Sequence, residues 1–172
     1  WLISFARRRF SEFKRVLDII AAAMGIVIAF PIIGFTALII KIVSPGPVFF
    51  RQERVGWGGE LFDIYKLRTM RIDAEKQTGP VWAKEDDPRL IKFGKAIRKL
   101  HIDELPQLYN VLRGDMSIVG PRPERPVFVE KLSEEISDYK KRIRVRPGIT
   151  GLAQVRHKYD ETIADVRKKV KY

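Results

Sequence analysis

The sequence predicts an α+β fold, mostly helical, in which a re-entrant membrane helix hairpin broken at Pro31 carries a small cytoplasmic domain of interfacial amphipathic helices and short strands. Three observations predict it. An uncharged apolar run extends from Ile19 to Ile40, basic residues flank it on both sides, and the remainder alternates short helix-period and strand-period segments without an internal repeat. A chain of 172 residues fits one compact unit beyond the run, so residues 1–43 form a basic segment plus anchor and residues 44–172 form the domain.

The run would make a helix roughly 33 Å long, about the thickness of a bilayer's hydrocarbon core. Its flanks oppose a simple crossing. Arg7, Arg8, Arg9, Lys14 and Arg15 precede it and Lys41, Arg51 and Arg54 follow it, and basic flanks favour the cytoplasmic side. Pro31 removes one helix hydrogen bond and clashes with the carbonyl four residues back, so two short helices meeting there satisfy both flanks. An ordinary kinked span and a buried soluble helix are the alternatives.

Ser44-Pro45-Gly46-Pro47 then ends any helix. Val48-Phe49-Phe50 and Leu61 to Leu67 read as short strands of a hairpin around Gly56-Trp57-Gly58-Gly59, with Lys66 and Arg68 at the end of the second. In Arg89 to Leu100, apolar Leu90, Phe93, Ile97 and Leu100 recur at helical spacing among five basic residues, which predicts a basic amphipathic helix for a membrane interface or a core. A helix from Pro106 to Arg113 has proline in its first turn and Gly114 as its stop, and another runs from about Glu124 to Lys140.

The net charge of +12 is concentrated: Lys140 to Tyr172 holds 11 Lys/Arg against 3 Asp/Glu. Anionic headgroups, phosphorylated small molecules and nucleic acid would all answer it. With no cysteine, disulfides, thiol nucleophiles and zinc–sulfur sites are excluded, and His101 and His157 make no metal site. Any ion would be a hard one held by carboxylates, magnesium first beside phosphates. The chain opens at Trp1, the pattern of a fragment, and the apolar run is too long and too deep for a signal peptide.

The chemistry centres on Asp103 and Glu104, which Pro106 places at a helix start where free amides and the dipole favour anions. Helix capping is the plain alternative. Lys66, Arg68, Arg98 and Arg122 stand at the ends of predicted elements, and the stiff Gly120-Pro121-Arg122-Pro123 loop holds an arginine suited to bidentate phosphate recognition. Taken individually, each of them reads first as a solvated surface charge and only second as a ligand. Pro147-Gly148-Ile149-Thr150-Gly151 reads either as a backbone-amide cradle for phosphate or as a turn between strands.

Taken in order, these pieces resemble the bacterial sugar transferase family, the monotopic phosphoglycosyl transferases. The matching segments are Lys14-Arg15 with Asp18, Ser44 to Gln52, Lys66 to Met70, Asp103 to Gln107, Gly114 to Ser117 with Val119 to Pro123, and Arg146 to Gly151. The resemblance implies transfer of hexose-1-phosphate from a UDP-sugar to polyprenyl (undecaprenyl) phosphate with release of UMP, a first membrane step of glycan assembly such as exopolysaccharide or O-antigen synthesis. It implies Asp103 as covalent nucleophile, Glu104 beside it, magnesium held by Asp103 and Glu104, and phosphate binding by Lys66, Arg68, Arg98 and Arg122. It also implies a catalytic domain on the cytoplasmic face of the bacterial inner membrane, contact with membrane lipids and no nucleic acid partner; a homo-oligomer stays open. Two departures accompany it. Phe30 stands where many relatives place a serine before the membrane proline, and the family's aromatic-rich terminal segment would lie past Tyr172. A non-catalytic module for anionic membranes or nucleic acid, and a tethered scaffold in which Asp103 and Glu104 only cap a helix, are the rival readings.

Overall fold

The computed structural model describes residues 2–76, 79–81, 87–156 and 166–167, with side chains described from Ser11 onward. His157 and, of the basic tail, Lys158, Lys168, Lys169 and Lys171 lie outside the described residues. Helix α1 spans Leu2–Val43 and contains Pro31, so the helical assignment continues through the proline where two separate helices were expected. A proline costs a helix one backbone bond, which the turns on either side can outlast. Within Ser11–Val43 an 18-residue window has a mean hydropathy of 2.6, and the segment leaves Val27, Ile28, Phe30, Phe35 and Ile42 exposed, an apolar surface suited to lipid.

Both halves of α1 touch the same domain. Ala22 is packed in a core with Ile64, Val111 and Met116, while Ile40 joins a second core with Leu67, Ile91 and Ile97. The strands are β1 (Phe49–Val55) and β2 (Leu61–Leu67), antiparallel with Phe50 opposite Lys66 and Arg54 opposite Phe62, around a 3-10 turn at Trp57–Gly59. The hairpin is therefore the one expected, with a first strand that runs on to Val55.

The basic amphipathic helix is shorter than its periodicity suggested. Helix α2 covers only Gly94–Lys99, because residues 89–91 are drawn into bonds with the segment after β2: Arg71 N–H donates to Arg89 O at 2.9 Å and Ile91 N–H to Thr69 O at 3.0 Å. Its apolar stripe splits. Ile97 enters the core beside Ile91, which is not of the stripe, while Phe93 and Leu100 point outward. A 3-10 turn at Ile102–Glu104 leads into α3 (Gln107–Arg113), which Gly114 ends in the left-handed conformation, φ 102°, that glycine adopts without cost.

Strand β3 (Ser117–Val119) pairs in parallel with β4 (Gly148–Thr150), and α5 (Leu152–Arg156) follows. Helix α4 is Pro126–Glu135, shorter than the predicted segment because Ile136 turns extended; a 3-10 stretch at Tyr139–Arg144 takes over. Gly120 and Gly148 lie so close that a Cβ on either would strike the other's backbone. Their amides are committed to protein, Gly148 N–H to Pro121 O and Gly120 N–H to Thr150 O, both at 2.9 Å. Pro147–Gly151, read as a phosphate cradle or a turn between strands, instead contains strand β4, and its glycines serve to seat the Arg122 loop.

Candidate active site

Asp103 and Glu104 lie in the 3-10 turn ahead of α3, side by side and buried, at 6% and 8% exposure. They have different surroundings. Glu104 Oε1 accepts from Lys66 Nζ at 2.8 Å and from Arg122 Nη2 at 2.7 Å, so one carboxylate oxygen gathers a strand lysine and a loop arginine. Asp103 makes no ion pair among the described residues, and its Oδ1 is buried without a hydrogen-bond partner.

The electrostatics follow. Burial pushes Glu104 up, but Lys66 and Arg122 outweigh it and hold the carboxyl well below the ordinary range. Burial raises Asp103 above its ordinary value; Lys66 opposes this and the neighbouring Glu104 reinforces it. Burial likewise pulls the Lys66 ammonium down, against the pull of Glu104. Two adjacent acids thus differ in proton affinity because one has taken both cations.

A cavity of about 480 Å³ opens beside this pair, bordered by Asp103, Lys66, Arg98 and Arg68 among others. Of the six residues expected at the site, Asp103, Lys66, Arg98 and Arg68 border the cavity, and Glu104 and Arg122 are joined to them through Lys66. Arg68 differs. Although it borders the cavity, its Nη1 donates to Pro45 O at 2.9 Å and its Nη2 to Ser44 O at 2.7 Å, fastening β2 to the exit of the anchor. Burial lowers its pKa. Its two terminal nitrogens serve a joint, while its Nε is buried without a partner among the described residues.

Arg122 is held by its loop as the two flanking prolines suggested, and by neighbours that sequence reasoning missed. Arg54, buried beneath the loop, donates to Pro123 O at 3.1 Å and lies 3.6 Å from Glu124, while Val55 N–H donates to Glu124 O at 2.9 Å. Arg142 Nη2 donates to Arg122 O at 2.6 Å. The overlooked signal was period two: Phe50, Gln52 and Arg54 alternate on β1 and all border the cavity.

Among the described residues no group of three or more potential metal ligands exists. The protein can offer two carboxylates, and the unpartnered Asp103 Oδ1 is the type of hard acceptor that magnesium prefers. That donor set fits an ion shared with substrate phosphates and does not fit one caged by protein alone.

An unpaired buried acid, cations converging beside it and an exposed apolar anchor on the same domain define an enzyme that handles phosphorylated substrates at a lipid surface. The family model described as bacterial sugar transferase matches residues 9–172, and the chain belongs to that family. It is 50% identical over 159 residues to a Bacillus subtilis protein provisionally named undecaprenyl-phosphate N-acetylgalactosaminyl 1-phosphate transferase, covering 92% of this chain and 84% of that one. It is also 50% identical over 159 residues to the UDP-N-acetylgalactosamine-undecaprenyl-phosphate N-acetylgalactosaminephosphotransferase of Aeromonas hydrophila, covering 92% of this chain but 37% of the relative. To the UDP-glucose:undecaprenyl-phosphate glucose-1-phosphate transferase of Caulobacter vibrioides it is 50% identical over 145 residues, or 83% and 53% of the two chains.

Proposed function

We propose that this chain moves a sugar 1-phosphate from a UDP-sugar to undecaprenyl phosphate, releasing UMP, through a covalent phosphosugar intermediate on Asp103. The names of the relatives support the reaction class. The observation that carries the nucleophile is the asymmetry of the acid pair: Glu104 binds Lys66 and Arg122, leaving Asp103 unpaired beside the cavity.

In the first step a carboxylate oxygen of Asp103 attacks the sugar-bearing phosphorus, and the bond from that phosphorus to the UMP oxygen breaks. In the second, an oxygen of the lipid phosphate attacks the same phosphorus and restores the Asp103 carboxylate. Burial, by raising the proton affinity of Asp103, also makes its ionised form a better nucleophile. Lys66 and Arg122, preset on Glu104, and Arg98 at the cavity wall offset the charge of the diphosphate and of departing UMP. Asp103 and Glu104 would hold magnesium together with the substrate phosphates, and a bound ion supplies further charge neutralisation.

The anchor is read as re-entrant, placing the domain on the cytoplasmic face of the bacterial inner membrane. Basic residues at both ends of α1, Pro31 within it, and packing of both halves on one domain support this. Ala22 and Ile40 would stand about 27 Å apart on a straight helix, yet their cores share β2 through Ile64 and Leu67, about 10 Å apart on the strand. A bend at Pro31 reconciles the two lengths.

Detergent-solubilised protein with magnesium, polyprenyl phosphate and a panel of UDP-sugars tests the reaction by UMP release. Labelled sugar phosphate should be trapped on wild type and absent from Asp103→Asn. UMP release without any trapped label at Asp103, and undiminished in that variant, would end the covalent reading.

A further inference from the structure

The cavity beside Asp103 changes character along its length. Its β1 wall reads Phe50, Gln52, Arg54, apolar at the end nearer the anchor and polar at the other. Pro47, Phe49 and Ile72 join Phe50 at the apolar end, where Phe49 is 53% and Ile72 65% exposed. This end adjoins the exit of α1. Pro47 closes the turn that leaves the anchor, Ile72 packs over Gly46, and Arg68 from the same wall is bonded to Ser44 and Pro45. At the polar end Glu124 also borders a second cavity of about 410 Å³, shared with Arg122 and Arg142.

We infer that the apolar end is a separate door for the isoprenoid phosphate, whose first isoprene units lie on Phe49, Phe50 and Ile72 while its phosphate reaches Lys66 and Asp103. The sugar nucleotide uses the polar end. The inference rests on the proposed acceptor being a polyprenyl phosphate. A lipid carrier keeps its phosphate at headgroup level, so its entrance must adjoin the point where the anchor leaves the bilayer, and exposed apolar side chains there gain by covering its chain. A water-borne nucleotide gains nothing from them.

The test separates the two half-reactions. Exchange of labelled UMP into UDP-sugar needs no lipid, whereas full transfer does. Phe49→Ser and Ile72→Ser should keep exchange within about twofold of wild type. The same variants should raise the KM for undecaprenyl phosphate about tenfold each, from lost apolar contact. Their preference for undecaprenyl over geranyl phosphate should shrink with it. Exchange and transfer falling together, or neither changing, would overturn the door. In a second arm, a diazirine-bearing polyprenyl phosphate in nanodiscs should label peptides containing residues 47–50 and 72. Label confined to other segments, or equal labelling by a diazirine phosphatidylglycerol, would overturn it. If wild type shows no exchange, the covalent reading fails by itself, and the labelling arm still decides the door.

Discussion

At the joint between anchor and domain, arginines bond neutral carbonyls; beside the cavity, a lysine and an arginine share a carboxylate. Arg15 donates to the carbonyls of Val111 and Leu112 at 2.7 and 3.0 Å, and Arg68 to those of Ser44 and Pro45. Lys66 and Arg122 meet on Glu104. The difference separates structure from chemistry. A guanidinium whose terminal nitrogens are bonded to fixed backbone is a rivet, while one of two cations sharing a carboxylate oxygen can turn to an arriving phosphate and leave the other on the acid. Lys66 and Arg68, two positions apart in sequence, fall on opposite sides of this line.

The sharpest way to break the comparison is Asp103→Asn. It should reduce UMP release on the order of 10⁴-fold while the protein stays folded, since a nucleophile is removed and no ion pair is broken. Full activity in a folded variant would place the chemistry elsewhere. Next is Glu104→Gln, which strips two cations of their anion and should destabilise the fold by about 3 kcal/mol, read from thermal unfolding in detergent. Arg68→Ala should cost about 2 kcal/mol through the lost joint, with the KM for UDP-sugar unchanged; a large rise in that KM would make Arg68 a phosphate ligand as well.

Ser117→Ala tests the other end of the joint. Ser117 Oγ donates to Asp18 Oδ2 at 2.8 Å, beside Ile118 N–H on Oδ1 at 3.2 Å, and removing the hydroxyl should cost about 1 kcal/mol with catalysis intact. The finest comparison is with pH. The raised Asp103 favours the fold below its ordinary value of 3.8, a gain lost as pH rises through its folded value; the lowered Glu104 stabilises above 4.5 and loses this as pH falls toward its folded value. Unfolding midpoints should therefore show Asp103→Asn more stable than wild type at neutral pH, with the advantage fading in acid. A constant difference across pH would remove the electrostatic distinction between the acids.

Much of this was legible in the residues. The apolar run, the Phe49–Leu67 hairpin, the α3 boundaries set by Pro106 and Gly114, and the acid pair all follow from local rules, because length, turn chemistry and capping act over a few positions. Where long-range contacts compete, local reading erred. The helix expected over residues 89–100 gave up its first turns to bonds with Thr69 and Arg71, and α4 ended early at Ile136.

The amino-acid order by itself determined that an apolar anchor precedes a basic domain, and that two acids and several cations are available for phosphate chemistry. Which cation serves which acceptor was decided only in three dimensions. Lys66, Arg122 and Glu104 are 38 and 18 residues from one another's partner across the chain, and Arg68 finds Ser44 from 24 residues away. A charge does not encode its partner locally. Burial removes water as the default partner, and whichever fixed acceptor the packed backbone brings within about 3 Å then sets the role of each side chain.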